Sequence, residues 1–307
     1  MDWDSSYVRA LIERALAEDV GPGDVTVSAT IPANATGRAR IVAKQELVCA
    51  GLPLAERIFR RLDPHIRLER PVEDGHLVRK GQDVLYLDGK ASAILTGERT
   101  ALNFLGRLSG IATVTHQFVE QLTGTRAKIR DTRKTTPGLR LLEKYAVKMG
   151  GGTNHRIGLY DAILLKENHI ALAGGVKAAL DQAHSYASSQ MSLQATTPYE
   201  AVGHSPSPAE ASSFPIQIEV RNEDELREAL GAGAEAVLLD NMTPERARAC
   251  VRIARGIRPD CMVEISGGLT LANARAYAET GVDYLSSGAL THSAPNADVS
   301  LLVENLR

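Results

Sequence analysis

Residues 216–288 read IQIEVRNEDELREALGAGAEAVLLDNMTPERARACVRIARGIRPDCMVEISGGLTLANARAYAETGVDYLSSG. Short apolar runs, IQIEV (216–220), AVLLDN (236–241), MVEISG (262–267) and DYLSSG (283–288), alternate with longer helix-forming stretches. Two more such runs precede them, AKIRDTR (127–133) and AILLKEN (162–168). Apolar strands followed by helices predict repeated βα units around a parallel sheet buried on both faces, whether open or closed. In either form the ligand lies beyond the carboxyl ends of the strands.

The rhythm differs upstream. GERTALNFLGRLSGIATVTHQFVEQL (97–122) is apolar at helical spacing, with Gly106 and Gly110 inside it, and predicts one long helix or two packed end to end. Small residues there allow close approach by another backbone. Between 37 and 90, short apolar runs broken by turns predict a small sheet with 52–62 as a helix against it. Residues 5–18 place Val8, Leu11, Ile12, Ala15 and Leu16 on one helical face, with Ser5 or Ser6 as cap and Gly21-Pro22-Gly23 as stop. Residues 184–215, rich in Ser, Pro, Thr and Ala, read as a surface loop or partly disordered insertion.

At 307 residues with 44% hydrophobic and 23% charged side chains, the chain has the balance of a folded globular protein of about two domains. A net charge of −2 argues against blanket neutralisation of a nucleic acid, so any anion site is local. No run of 18 apolar residues occurs and the start is acidic, so a cytoplasmic protein with no membrane partner is expected. Cys49, Cys250 and Cys261 lack metal-ligand spacing and read as buried thiols.

Polar residues close each strand run: Arg133-Lys134, Lys166, Glu219, Asp240, Ser266-Gly267-Gly268 and Ser286-Ser287-Gly288. Several cations, two carboxylates and two glycine turns on one rim suit a polyanion held by side chains and backbone N–H groups, with phosphate plus a metal as the natural ligand. Taken singly, Arg133-Lys134 could be a solvated loop, His155 a structural histidine, and Glu219 or Asp240 a rim salt bridge. Three glycines, 150–152, precede His155-Arg156, and close backbone approach to a ligand would explain them.

These motifs, GERTALN (97–103), DTRKTTPGLR (131–140), EKYAVKMGGGTNHRIGLYDAILLKENHI (143–170), LLDNM (238–242), EISGG (264–268) and SSGALTHS (286–293), resemble the quinolinate phosphoribosyltransferase family. The likeness runs from about Glu18 to Leu302. It implies the type II phosphoribosyltransferase fold: an N-terminal open α/β sandwich (1–112, joined by C-terminal helices at about 293–307) and an incomplete α/β barrel (113–292) of six or seven strands carrying the 184–215 insertion. It also implies Mg²⁺-dependent transfer of phosphoribosyl from 5-phosphoribosyl 1-pyrophosphate to quinolinate, yielding nicotinate mononucleotide, pyrophosphate and CO₂ for NAD biosynthesis.

By the same resemblance, Arg133, His155, Arg156 and Lys166 meet the quinolinate carboxylates. Arg99 reaches in from the partner of a homodimer, with higher assembly left open. Lys134 and Lys166 act at the reacting groups, Glu219 and Asp240 face the ribose hydroxyls and Mg²⁺, and Ser266, Gly267, Gly268, Gly288 and His292 cradle the 5′-phosphate. Three departures from the family pattern stand out: Gln217 where the family carries Glu, Arg221 after Glu219-Val220, and the insertion itself. The competing readings are a related transferase for another acceptor acid, a barrel aldolase using Lys166 as Schiff-base lysine, and a non-catalytic scaffold.

Overall fold

The computed structural model of the chain describes residues 1–190 and 215–306. Helix α1 (Ser6–Val20) starts at Ser5, whose hydroxyl accepts from Val8 N, and buries Val8, Leu11, Ile12 and Leu16. It ends at Gly21, where a left-handed backbone favours glycine. After α2 (Val25–Thr30) come β1 (Thr36–Ala43), β2 (Leu47–Val48), α3 (Leu52–Leu62), β3 (Arg67–Glu69), β4 (Leu77–Val78) and β5 (Asp83–Lys90). Strands β1, β3 and β5 belong to an antiparallel sheet, and α3 buries Leu54, Ala55, Ile58 and Phe59.

Helix α4 (Ala91–Leu122) is a single uninterrupted helix of 32 residues, so the boundary expected at 112 falls inside it. Its buried residues run from Ala91 to Leu122, which lets one rod serve both units. The small residues do what the sequence suggested. A Cβ on Gly110 would stand 1.9 Å from the Pro295 carbonyl oxygen, and Gly106 accepts from Ala297 N at 2.8 Å. Gly150 presses on the same helix, where a Cβ would stand 2.3 Å from the Ala112 carbonyl oxygen. The triple glycine thus serves helix packing on α4, a correction to its reading as a ligand approach.

The second unit continues as β6 (Lys128–Arg130), α5 (Arg140–Met149), β7 (Ile163–Leu165), α6 (Glu167–Ala173), α7 (Val176–Gln190), β8 (Ile216–Val220), α8 (Glu223–Gly231), β9 (Ala236–Asp240), α9 (Pro244–Ile257), β10 (Met262–Ser266), α10 (Leu271–Ala278), β11 (Tyr284–Ser286) and α11 (Ala289–His292). Six strands form one parallel sheet in the order β6-β11-β10-β9-β8-β7. Thr153 adds a parallel bridge beside Arg130, giving the barrel a partial seventh position. Every strand run read from the sequence is a strand, and the barrel is incomplete, as the resemblance implied. The proposed insertion overlaps α7 at 184–190; residues 191–214 lie outside the described residues.

The chain does return to the first unit, but as a strand. β12 (Val299–Leu306) pairs antiparallel with β1, which pairs with β5 on its other side, giving the order β12-β1-β5-β3. The C-terminal helices expected at 293–307 are therefore corrected to an edge strand. Physically, β1 would otherwise present a row of unpaired N–H and C=O groups, and eight residues of β12 satisfy them. No helix among the described residues is long and apolar enough to cross a membrane.

Because the Gly110 contact is with backbone, Gly110→Ala is expected to destabilise folding by about 1–3 kcal/mol in denaturant titration. Gly231→Ala, where a Cβ meets nothing within 4 Å, is the control and should be neutral or slightly stabilising. Equal stability of the two variants would contradict the close approach.

Candidate active site

The carboxyl ends of β6 to β11 bring the expected residues to one rim. Asp240, Ser266, Ser286 and Arg130 form one register row across four neighbouring strands. Glu219 lies one residue before the end of β8, and Lys166 follows β7. Lys166 Nζ donates to Glu219 Oε2 at 2.8 Å; the lysine side chain is 51% exposed and the glutamate 12%. Half-exposed and paired with a carboxylate, Lys166 lacks the surroundings that activate a Schiff-base amine. Arg221 pairs with Glu167 and Glu225, tying α6 to α8 at the surface.

Asp240 is oriented by Asn241, whose Nδ2 donates to Asp240 Oδ2 at 3.0 Å while its backbone N donates to Ser266 O at 2.9 Å. Asn241 is left-handed (φ 50°), a conformation Asn tolerates. Gly267 (φ 102°) is required beside it, since a Cβ there would stand 2.1 Å from Asn241 Oδ1. Gly288 brings two more residues together: a Cβ on it would stand 2.9 Å from Lys134 Cδ and 3.0 Å from the His292 ring.

Arg133 and Arg156 share the mouth. Burial, and then the charge of Arg133, hold the Arg156 guanidinium below its ordinary range. Arg156 donates to the Ala162 carbonyl at 3.0 Å, and Arg133 Nε is buried with no partner among the described residues. Asp161 closes the loop beside them by accepting from Ile157 N and Gly158 N. Two guanidinium groups in each other's field, one with a buried donor that has no partner among the described residues, suit a planar anion.

His155 is tied down at every polar atom. Asp131 Oδ1 accepts from its backbone N at 2.8 Å, and Lys144 Nζ donates to its carbonyl at 2.9 Å. Its Nδ1 accepts from Arg156 N at 2.7 Å, which assigns the ring proton to Nε2, facing Gln217 Oε1 at 3.2 Å. The ring therefore orients Arg156 rather than offering a free nitrogen to the mouth. Gln217 also donates to Glu264 Oε2 at 3.0 Å, where a glutamate would set two carboxylates against each other.

Beneath the rim lie charges the sequence reading passed over. Glu264, fully buried, accepts from Arg130 at 2.9 Å and from Ser286 Oγ. Arg130 also lies 3.5 Å above the Tyr284 ring centroid. Asp131 and Lys144 form a buried pair; burial pushes the carboxyl up to about 6 and the ammonium down from its ordinary value. Charged residues inside apolar strand and helix runs, Arg130 in KIR, Glu264 in MVEIS and Lys144 on the buried face of α5, were the available signal.

Glu219 and Asp240 are hard oxygen donors on adjacent strands, and no group of three or more His, Cys, Asp or Glu able to hold a metal occurs among the described residues. Such a pair suits Mg²⁺ shared with substrate phosphates and not an all-protein cage. The three cysteines are buried, and burial pushes the Cys49 and Cys261 thiols up, consistent with inert packing. Arg99 is exposed on α4, with no ion pair or hydrogen bond to this rim among the described residues. A concavity of about 420 Å³ opens at the barrel's other mouth, where Arg126 and Arg255 are both engaged by Asp283.

Residues 24–109 match the family model for the quinolinate phosphoribosyl transferase N-terminal domain, and residues 111–203 and 199–302 match that for the C-terminal domain. The chain is 41% identical over 306 residues to nicotinate-nucleotide pyrophosphorylase [carboxylating] of Mycobacterium leprae, covering 98% of each. It is 37% identical to quinolinate phosphoribosyltransferase [decarboxylating] 1b of Nicotiana tabacum, covering 97% of this chain and 82% of that one. The solved nicotinate-nucleotide pyrophosphorylase of Francisella tularensis superposes with a TM-score of 0.84 at 37% identity, covering 97% of this chain and 96% of that one.

Burial lowers the proton affinity of the His155 ring from its ordinary 6.5, with Glu264 opposing and Arg130 and Lys144 adding to the effect. Unfolding restores the ordinary affinity, so His155 makes the fold lose stability as pH falls below about 6.5. Nitrogen-15 NMR of the labelled imidazole at pH 6.5 should show a neutral ring protonated at Nε2. A doubly protonated ring at that pH would contradict the assignment.

Proposed function

The chain belongs to the quinolinate phosphoribosyltransferase family, and we propose that its barrel rim carries the reaction of its relatives: phosphoribosyl passes from 5-phosphoribosyl 1-pyrophosphate to quinolinate, with loss of CO₂. The products are nicotinate mononucleotide, pyrophosphate and CO₂, a step of NAD biosynthesis placed in the cytoplasm. The observation that carries this reading is the mouth itself. Arg133, whose buried Nε has no partner among the described residues, and Arg156, which stands in its field, suit an anion with two adjacent carboxylates.

In this mechanism Arg133 and Arg156 clamp the carboxylates and aim the pyridine nitrogen at C1 of the sugar. Positive charge grows on the ribose as the C1–O bond to pyrophosphate breaks. Glu219, whose Oε2 is held by Lys166, and Asp240, held by Asn241, stabilise that charge and accept from the ribose hydroxyls. Lys134, beside Gly288 and His292, places a compact cation near the departing pyrophosphate. Mg²⁺, held by Glu219 and Asp240, would neutralise phosphate charge when bound.

Once nitrogen bonds to C1, the ring is cationic. The bond from C2 to its carboxylate breaks, CO₂ leaves, and the electron pair stays on C2 beside N⁺ until it takes up a proton. The cations hold the substrate through this step and need donate nothing. Ser266, Gly267, Gly268, Gly288 and His292 hold the 5′-phosphate at the two glycine turns.

Arg99, exposed on α4 with no contact to its own rim among the described residues, completes the rim of the twofold mate in a homodimer. Carboxyl-labelled quinolinate should release ¹⁴CO₂ only when 5-phosphoribosyl 1-pyrophosphate is present, with nicotinate mononucleotide formed in equal amount; donor-independent release, or none, overturns the reaction. Arg99→Ala and Arg133→Ala should each be inactive alone. Mixed and reassembled, they should recover roughly a quarter of parental activity, because half the dimers carry one intact site. No recovery would overturn the shared site.

A further inference from the structure

Arg107 and Glu143 belong to none of the roles above, yet they meet at the join of two rim loops. Glu143, on α5, is fully buried, and Arg107 comes from α4. Arg107 Nε and one terminal nitrogen donate to Glu143 Oε1 at 3.2 and 2.8 Å. The same guanidinium reaches α11 and the segment that follows it, donating to Thr291 O and to Ala294 O, the latter at 3.0 Å. Glu143 in turn holds the loop that follows β6, accepting from Thr136 N at 3.1 Å and from Thr136 Oγ1 at 2.8 Å.

Thr291 closes the circuit. Its hydroxyl lies 2.8 Å from Lys134 O and 3.1 Å from Gly288 O, so one side chain bridges the backbones of both loops. We propose that Arg107 and Glu143 are a positioning pair that sets the spacing between the Arg133–Lys134 loop and the Gly288–His292 segment, which is α11 with its cap. The inference rests on the reaction assigned above, in which the first loop holds the acceptor and the second the sugar phosphate. Their spacing then fixes the distance from the pyridine nitrogen to C1.

The chemistry of the pair supports a geometric role. An arginine presents its donors in a rigid planar fork, so four hydrogen bonds to three protein oxygens, Glu143 Oε1, Thr291 O and Ala294 O, are held at fixed angles, which a lysine's single nitrogen cannot reproduce. Three of the groups held directly, Thr136 N, Thr291 O in α11 and Ala294 O, are backbone atoms within two residues of Lys134 or His292. A buried ion pair adds little net stability compared with apolar packing, but it fixes orientation.

The test uses full-length Arg107→Lys and Thr291→Val, with melting temperature, equilibrium binding of each substrate alone, and single-turnover rate. Misplacement of the reactants by about 1 Å costs on the order of 10²-fold in rate. Arg107→Lys should lose that much in the chemical step while binding each substrate within about threefold of the parent. Thr291→Val, which keeps the volume and removes only the bridge, should lose about tenfold with the same signature. Parental rates in folded Arg107→Lys and Thr291→Val, or a rate loss matched by lost binding of either substrate, would overturn the pair's role. A parent protein that makes no product would instead overturn the reaction assigned above.

Discussion

Three carboxylates with no solvent exposure, Glu264, Asp131 and Glu143, lie under a rim that gathers cations, and the arrangement of the rim depends on them. Each is paired to one cation, Arg130, Lys144 and Arg107 respectively. Each also grips polar groups of a rim segment. Glu264 takes Gln217 and Ser286, Asp131 takes the His155 backbone, and Glu143 takes Thr136. Removing one partner of such a pair strands the other charge, at a cost of about 3–5 kcal/mol. The buried charges therefore set where the exposed ones stand.

Helix α4 gives these pairs a common frame. It packs against the first sheet at one end and supports the barrel at the other, and its glycines let Pro295–Ala297 and Gly150 approach its backbone. The first contact fixes the segment between the Gly288 turn and β12; the second fixes the segment that leads to His155. Packing on one helix thus determines the height of two rim elements, while β12, laid along β1, anchors the far end of the chain.

Much of this was legible in the residues. The runs IQIEV, AVLLD and MVEIS, alternating with helical stretches, read as buried parallel strands and are strands, and the polar residues closing them lie on one rim as the topology requires. What escaped was decided by partners distant in sequence. Val299–Leu306 is a strand because β1 has an open edge, a fact the segment itself does not carry. The glycines at 150–152 looked like a ligand approach because their neighbour, α4, is some forty residues upstream. His155 looked like a substrate ligand, whereas the partners of both ring nitrogens come from the fold. Gln217, noticed only as a departure from the family, proves to be the neutral link between His155 and Glu264.

In the proposed reaction a vicinal dicarboxylate completes the Arg133 and Arg156 guanidinium groups, which stand in each other's field, with the buried Arg133 Nε lacking a partner among the described residues. Titration calorimetry of pyridine-2,3-dicarboxylate against pyridine-3-carboxylate tests it most directly. The dicarboxylate should bind about 10- to 100-fold more tightly, the equivalent of one additional charge-assisted hydrogen bond. Equal affinity for the two acids would contradict the account.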